Sequence, residues 1–163
     1  ERVNRLPGAW SFIAIGALKA ACHPSALASA GVTHVVNAGA FVYDRHADIT
    51  YLDIDVVDST ESDLSRWFDR TSEFIDKAKQ GDGLVLVHCR AGRSRSAAIC
   101  CAYLIAHGGI NLEEAMSTVR SARSIAEPNP AFIEQLRELQ DDVQHSGSRQ
   151  PVGGRDGDGA WRS

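Results

Sequence analysis

Apolar residues in this chain recur in two periods, and the change from one to the other lays out the fold. "FIAIG" (12–16) and "THVVNAG" (33–39) are short β-branched runs separated by "HPSALASAG", a small-residue stretch with Pro24 near its start and Gly31 at its end. That order reads as strand, short helix, strand. In "TYLDIDV" (50–56), Leu52, Ile54 and Val56 alternate with Tyr51, Asp53 and Asp55, as in a strand with one face toward polar surroundings. The period then lengthens. Leu64, Trp67, Phe68, Thr71, Phe74, Ile75 and Ala78 share one stripe of helical spacing, which predicts a helix with Asp63 as N-cap and "GDG" at 81–83 as its end. "LVLVH" (84–88) is apolar up to its last residue, the pattern of a strand buried on both faces. Three helices follow. One spans Ala97 to His107 and is closed by Gly108 and Gly109; the next, opened by a capping box of Asn111 and Glu114, reaches about Arg123. The last starts at Asn129 with Pro130 behind it and turns Phe132, Ile133, Leu136, Leu139 and Val143 inward.

Strands separated by helices predict an α/β class: a single-domain three-layer fold with a central, mainly parallel sheet flanked by helices. In such sheets ligands gather at the carboxyl ends of the strands. With 163 residues, 44% of them hydrophobic, one core suffices. Residues 1–9 read as an N-terminal extension and 10–143 as the folded domain. Residues 144–163, mostly Gly, Ser, Arg and Asp, read as a flexible tail. The chain opens on Glu1 rather than Met, so targeting or docking segments upstream are expected to lie outside it.

Charge and cysteine usage narrow the classes. A net charge of −4 disfavours nucleic acid or membrane as the main partner, and no apolar run is long enough to span a bilayer. Cys22, Cys89, Cys100 and Cys101 form neither zinc spacing nor a disulfide framework, so no metal or cofactor is expected. A reducing, intracellular location is expected, the cytoplasm alone or the nucleus as well. Cys100 and Cys101 read as small buried helix residues, Trp67 and Phe68 as core, and His23, His46, His107 and His145 as surface. The oligomeric state is not legible.

The chemistry concentrates in "LVLVHCRAGRSRSAAI" (84–99), where a buried strand ends on His88 and Cys89 and a helix begins a few residues later. A loop entering a helix N-terminus presents unpaired N–H groups and a positive dipole end, which together cradle an anion. Gly92 permits a positive φ or a close backbone approach. Arg95 carries a planar fork suited to two oxygens of one phosphate. A cysteine in that field ionises readily, and a thiolate facing a tetrahedral anion is a nucleophile aimed at phosphorus. Ser96 can donate to the sulfur and stabilise it as a leaving group. The amides of Arg90, Ala91, Gly92, Arg93, Ser94 and Arg95 are the candidate phosphate ligands, with the Arg90 and Arg93 side chains pointing out to an electropositive rim.

"HCRAGRSRS" (88–96) resembles H-C-x-x-G-x-x-R-S, the signature of cysteine-dependent protein tyrosine phosphatases, in the form typical of the dual-specificity branch. "GVTHVVNAG", "YLDIDVVDSTESDLSRWF", "AYLI" (102–105) and "EPNPAFIEQL" (127–136) are similar to the matching segments of small, atypical dual-specificity phosphatases. The resemblance covers residues 10 to 143. It implies a metal-independent phosphatase for phosphotyrosine and phosphoserine or phosphothreonine, working through a phosphocysteine. It also implies phosphorylated protein partners, MAP kinases among the family's substrates. The family's general acid sits in the loop about thirty residues before the cysteine; Asp58 lies 31 residues before Cys89, with Asp55 the alternative. In the family, His88 supports the cysteine rather than reacting, and Arg123 occupies a place where a second phosphate or acidic group can be held. Some relatives form a reversible disulfide with the catalytic cysteine, for which Cys22 is the candidate here. A nonprotein phosphate ester as substrate, or a noncatalytic phosphoprotein-binding module, are the rival readings. No insertion is visible that would deepen the cleft.

Overall fold

The apolar run at 84–88 becomes the strand around which the molecule is arranged. The structure, a computed structural model, describes residues 3–148. Five strands, β1 (Asn4–Arg5), β2 (Ile13–Ala17), β3 (His34–Ala38), β4 (Thr50–Ile54) and β5 (Val85–Cys89), form one sheet in the order β1-β2-β5-β3-β4. All neighbours run parallel except β1, which pairs antiparallel with β2. β2 and β5 are buried throughout, as a central strand covered on both faces must be. Edge strand β4 keeps its alternation, with Leu52 and Ile54 buried and Asp53 exposed.

Six helices cover the sheet: α1 (Leu18–Ala21), α2 (Pro24–Ser29), α3 (Phe68–Gln80), α4 (Arg95–Gly108), α5 (Leu112–Ala122) and α6 (Pro130–Ser148). Ala21 of α1 and Leu27 of α2 pack with Val32, Val35, Leu84 and Leu86 on one face. The larger core, on the other face, joins α3 to α6 with Ile13, Ile15, Val36, Val85 and Val87. Strand alternation therefore directs Cys89 into the large core and His88 to the opposite side. This is the expected three-layer arrangement.

Four local features differ from the sequence-based expectation. Asn4 and Arg5 pair with Ile15 and Ala14, and Leu6 is buried, so the sheet begins inside the supposed extension. Two polar residues are too short a run to show a period. Asp63 does not cap α3, which is preceded by a 3₁₀ turn at Ser65–Trp67. The free N–H groups of Leu64 and Ser65 donate instead to Gln135 Oε1 of α6, at 2.9 and 3.0 Å, a cap supplied from seventy positions away. α4 starts at Arg95, two residues early. α6 runs to Ser148, so the first five residues assigned to the tail are helical, with Val143 packed on the core; residues 149–163 lie outside the described part.

Candidate active site

The loop from Cys89 to Arg95 is shaped by what takes its carbonyls. Arg90 O accepts from Leu18 N–H at 3.1 Å and Arg93 O from Glu127 N–H at 2.7 Å. Ala91 O and Gly92 O accept from Arg123 Nη2 and Nε, both at 2.8 Å. With four successive carbonyls held outward, the loop's N–H groups turn inward, and the amides of Ser96 and Arg93 help to lower the Cys89 thiol. The inward ring of donors at the start of α4 is an anion cradle. Gly92 has φ +66°, and a Cβ there would lie 2.6 Å from both Arg123 Nε and Gly16 O, so no other residue fits this loop without displacing its brace.

Cys89 is 3% exposed. Burial alone would raise its pKa. The Ser96 hydroxyl at 3.2 Å, the Ser96 and Arg93 amides and the Arg95 charge outweigh burial, and the thiol is held below its ordinary value. Cys100 and Cys101, buried further along α4, have no such donors and are pushed up, Cys101 to about 12. One residue type thus has opposite chemistry within twelve positions.

Arg95 is buried and donates from Nη1 to Val56 O at 2.8 Å, which fixes its guanidinium under the loop. Its Nε is buried and makes no hydrogen bond. A charged donor left over in the interior is costly unless a bound anion completes it. The Phe41 ring packs 5.5 Å from Arg95 Cζ and 5.3 Å from Arg90 Cζ. Buried Asn37 holds Phe41 there by both its backbone groups, donating to Phe41 O at 2.8 Å and accepting from Phe41 N–H at 3.2 Å. Gly39 has φ +132°, and a Cβ there would lie 2.5 Å from the Phe41 ring and 2.8 Å from Arg95 Nη1.

His88 is fully buried beneath the loop. Its Nδ1 is 3.2 Å from Cys89 O and its Nε2 2.8 Å from the Tyr43 hydroxyl. Burial lowers its pKa to about 4, and burial likewise raises that of Tyr43. A neutral imidazole that donates to the carbonyl and accepts from the phenol satisfies both contacts. His88 props the loop from below.

The carboxylates separate by partner. Asp53 is occupied by Arg45 at 2.6 Å and Asn37 at 2.9 Å. Asp55 lines a depression with Asp63 and Arg66. Asp58 is exposed, and a groove of about 630 Å³ holds it together with Arg93, Ser94 and Asn129 of the loop's surroundings. Asn129 connects the parts: its side chain donates to Asp58 Oδ1 at 3.0 Å and to Ser59 O at 3.2 Å, its N–H donates to Ser94 Oγ at 2.9 Å, and its Oδ1 caps α6 at Phe132 N–H. Arg90 is exposed, and Arg93 pairs with Glu127 at 2.6 Å. Arg123 spends two donors on loop carbonyls. Cys22 is exposed and Cys89 buried, and both are free thiols.

Asn129, Asn37, Gly39 and Tyr43 are site residues that the sequence does not announce. Only Asn129 leaves a signal, as an N-cap; that it also reaches Asp58 and Ser94 depends on contacts across seventy-one and thirty-five positions.

Residues 13–142 match the family described as dual specificity phosphatase, catalytic domain. The chain belongs to this family. It is 39% identical over 133 residues to dual specificity protein phosphatase 1 of Arabidopsis thaliana, covering 81% of this chain and 67% of that protein. It spans 36% of the mouse and human proteins of the same name. The crystal structure of human DUSP28 superposes with a TM-score of 0.79 at 36% identity, covering 83% of this chain and 95% of that one. A mouse dual specificity phosphatase complexed with zinc tungstate gives 0.80 at 36% identity, covering 83% and 86%. A small dual-specificity phosphatase is therefore the setting in which this site works: a hydrolase of the cysteine-based type, acting on phosphorylated protein. No helix among the described residues is long and apolar enough to cross a membrane.

Proposed function

We propose that this chain hydrolyses phosphotyrosine and phosphoserine or phosphothreonine in proteins through a phosphocysteine at Cys89. The observation that carries the reading is the lowered thiol of Cys89 inside a ring of inward amides, beside a buried Arg95 Nε that lacks a partner. The mouse relative is complexed with zinc tungstate, and tungstate is a tetrahedral oxyanion of the shape this cradle would take.

In the first step the Cys89 thiolate attacks phosphorus and the P–O ester bond breaks, while Asp58, as the acid, protonates the departing oxygen. The loop amides and Arg95 hold the equatorial oxygens, whose charge grows along the way. In the second step Asp58, now a carboxylate, takes a proton from water. The resulting hydroxide forms the new P–O bond, the S–P bond breaks, and Ser96 Oγ stabilises the thiolate that leaves. Asn129 is a positioning residue that ties the acid loop to the cradle, and His88 and Arg123 brace the loop from below and outside. Arg123 spends two of its five N–H donors on Ala91 O and Gly92 O, so bracing is the role these contacts support.

With no inserted loop to deepen it, the cleft admits short as well as aromatic phosphorylated side chains. MAP kinases are candidate substrates on family grounds. Four free thiols fit a reducing compartment, cytoplasm or nucleus. The deciding experiment is hydrolysis of phosphotyrosine and phosphothreonine peptides with chelator present: Cys89→Ser should abolish both activities. Retention of either would end the reading.

A further inference from the structure

Among the described residues, the large apolar side chains left exposed are Val42, Val57 and Ile125, at 100%, 63% and 51%. Single exposed apolar residues need no explanation. These three come from separate loops, and each lies within two residues of a direct contact to the phosphate loop. Val42 follows Phe41, whose ring packs on Arg90 and Arg95. Val57 follows Val56, whose carbonyl receives Arg95 Nη1 at 2.8 Å. Ile125 lies between Arg123, bonded to Ala91 and Gly92, and Glu127, bonded to Arg93 through side chain and backbone.

Nor are the three loose. Asn37 grips Phe41, and Ala40 before it holds φ +50°, a conformation an alanine adopts only when its neighbours impose it. Val56 and Ala126 are buried next to Val57 and Ile125, so the chain turns one side chain in and the next out. Ala126 is further pinned by Arg120 Nε on its carbonyl at 3.1 Å. The apolar groups are thus presented on backbone tied to the phosphate loop through their neighbours, and part of their ordering cost is already met before a ligand arrives.

We infer that Val42, Val57 and Ile125 form an apolar rim that selects phosphoproteins with apolar side chains flanking the phosphorylated residue. The inference rests on the protein phosphatase reading above. A peptide is the occupant because each of the three adjoins a segment that contacts the phosphate loop: a phosphate seated in the cradle brings the neighbouring residues of its own chain past those segments. A lipid surface fits less well, since the exposed groups are short aliphatics without the Trp, Phe or Lys of interfacial segments, and the chain carries −4 overall.

The test pairs phosphothreonine and phosphotyrosine peptides flanked by Leu and Val with matched peptides flanked by Ser and Gln. The wild type should favour the apolar set by about tenfold or more in kcat/KM, through KM. Val42→Ser, Val57→Ser and Ile125→Ser should each narrow the ratio, and together bring it near one, with para-nitrophenyl phosphate turnover unchanged. The same ranking should hold for peptide binding to Cys89→Ser, which tests the rim even if hydrolysis fails. Because Val42 is fully exposed, its single variant keeps the test open should the triple variant not fold. Equal handling of the two peptide sets, or a preference that survives the triple variant, overturns the inference. So would rim-dependent hydrolysis of phosphoinositide in phosphatidylcholine vesicles exceeding that of the peptides, or a wild-type dimer that Val42→Ser dissociates.

Discussion

At the scale of single residues, the Cys89 proton is the quantity to measure. Four lowering influences overcome burial there, the Ser96 hydroxyl foremost among them. Alkylation by iodoacetamide, followed against pH, should therefore show a midpoint below the ordinary thiol value, and Ser96→Ala should move it upward. An unshifted midpoint in the wild type would remove the nucleophile. His88 makes the opposite kind of demand. Its folded pKa of about 4 lies below the unfolded value near 6.5, so the unfolded chain binds the proton more readily and acid favours unfolding. The contribution is complete above pH 6.5 and is lost as the pH falls toward 4, on the order of 3 kcal/mol across that window. Urea midpoints recorded from pH 7 to 4 should fall, and His88→Asn should flatten the slope at the expense of some stability at pH 7. Arg123 gives a third measurement at this scale. If it braces the loop, Arg123→Ala lowers kcat/KM for a small aryl phosphate and for a doubly phosphorylated peptide by the same factor; a loss confined to the peptide would reinstate the second-phosphate role.

At the scale of elements, the site depends on joints between segments distant in sequence. α6 contributes Gln135 to the start of the 3₁₀ turn before α3, and the residue before α6, Asn129, reaches the acid loop and the phosphate loop together. Asn129→Ala leaves Asp58 on a loop with one anchor fewer. Expressed as rates, phosphothreonine turnover should fall by about 10-fold or more, since misplacing an acid forfeits part of the 10² to 10⁴ such a group supplies. Para-nitrophenyl phosphate, whose leaving group needs no proton, should lose much less. A uniform loss on both would mean that Asn129 serves the cradle rather than the acid. These joints also mark where the sequence stops being readable. Periodicity locates the long helices and central strands because burial imposes it on every turn, and the capping box at Asn111 is local enough to see. Asp63 mimics a cap for the helix after it, while the true acceptor, Gln135, carries no pattern that points seventy residues back. The two-residue β1 and the far end of α6 lie below the length or above the polarity at which a period shows. The cradle is legible because its parts, Cys89, Gly92, Arg95 and Ser96, fall within one short stretch; its supports at Asn37, Gly39 and Tyr43 come from β3 and the loop after it and are not.

At the scale of the whole molecule, the net charge and the site oppose one another. The chain carries −4, yet Arg90, Arg93, Arg95 and Arg123 gather around one loop, with Glu127 matched to Arg93 and Asp58 the carboxylate that shares the adjoining groove. A dianionic phosphate approaching from solvent meets a repulsive body and an attractive mouth, so the attraction is short in range. Between about 0.02 and about 0.3 M salt the Debye length shrinks from about 20 Å to about 6 Å, which screens the body before it screens groups in contact. The expected result is a KM for a neutral-flanked phosphopeptide that changes less than about threefold over that range, with kcat constant, because contact with the cradle is not exposed to bulk ions. An acidic-flanked peptide, which touches the exposed guanidinium of Arg90 as well, should show a KM that climbs with salt, and Arg90→Ala should abolish the climb. A steep salt dependence of kcat itself would show that Arg95 and the amides are reached by solvent ions, and that the buried, water-poor cradle on which the chemistry depends does not form.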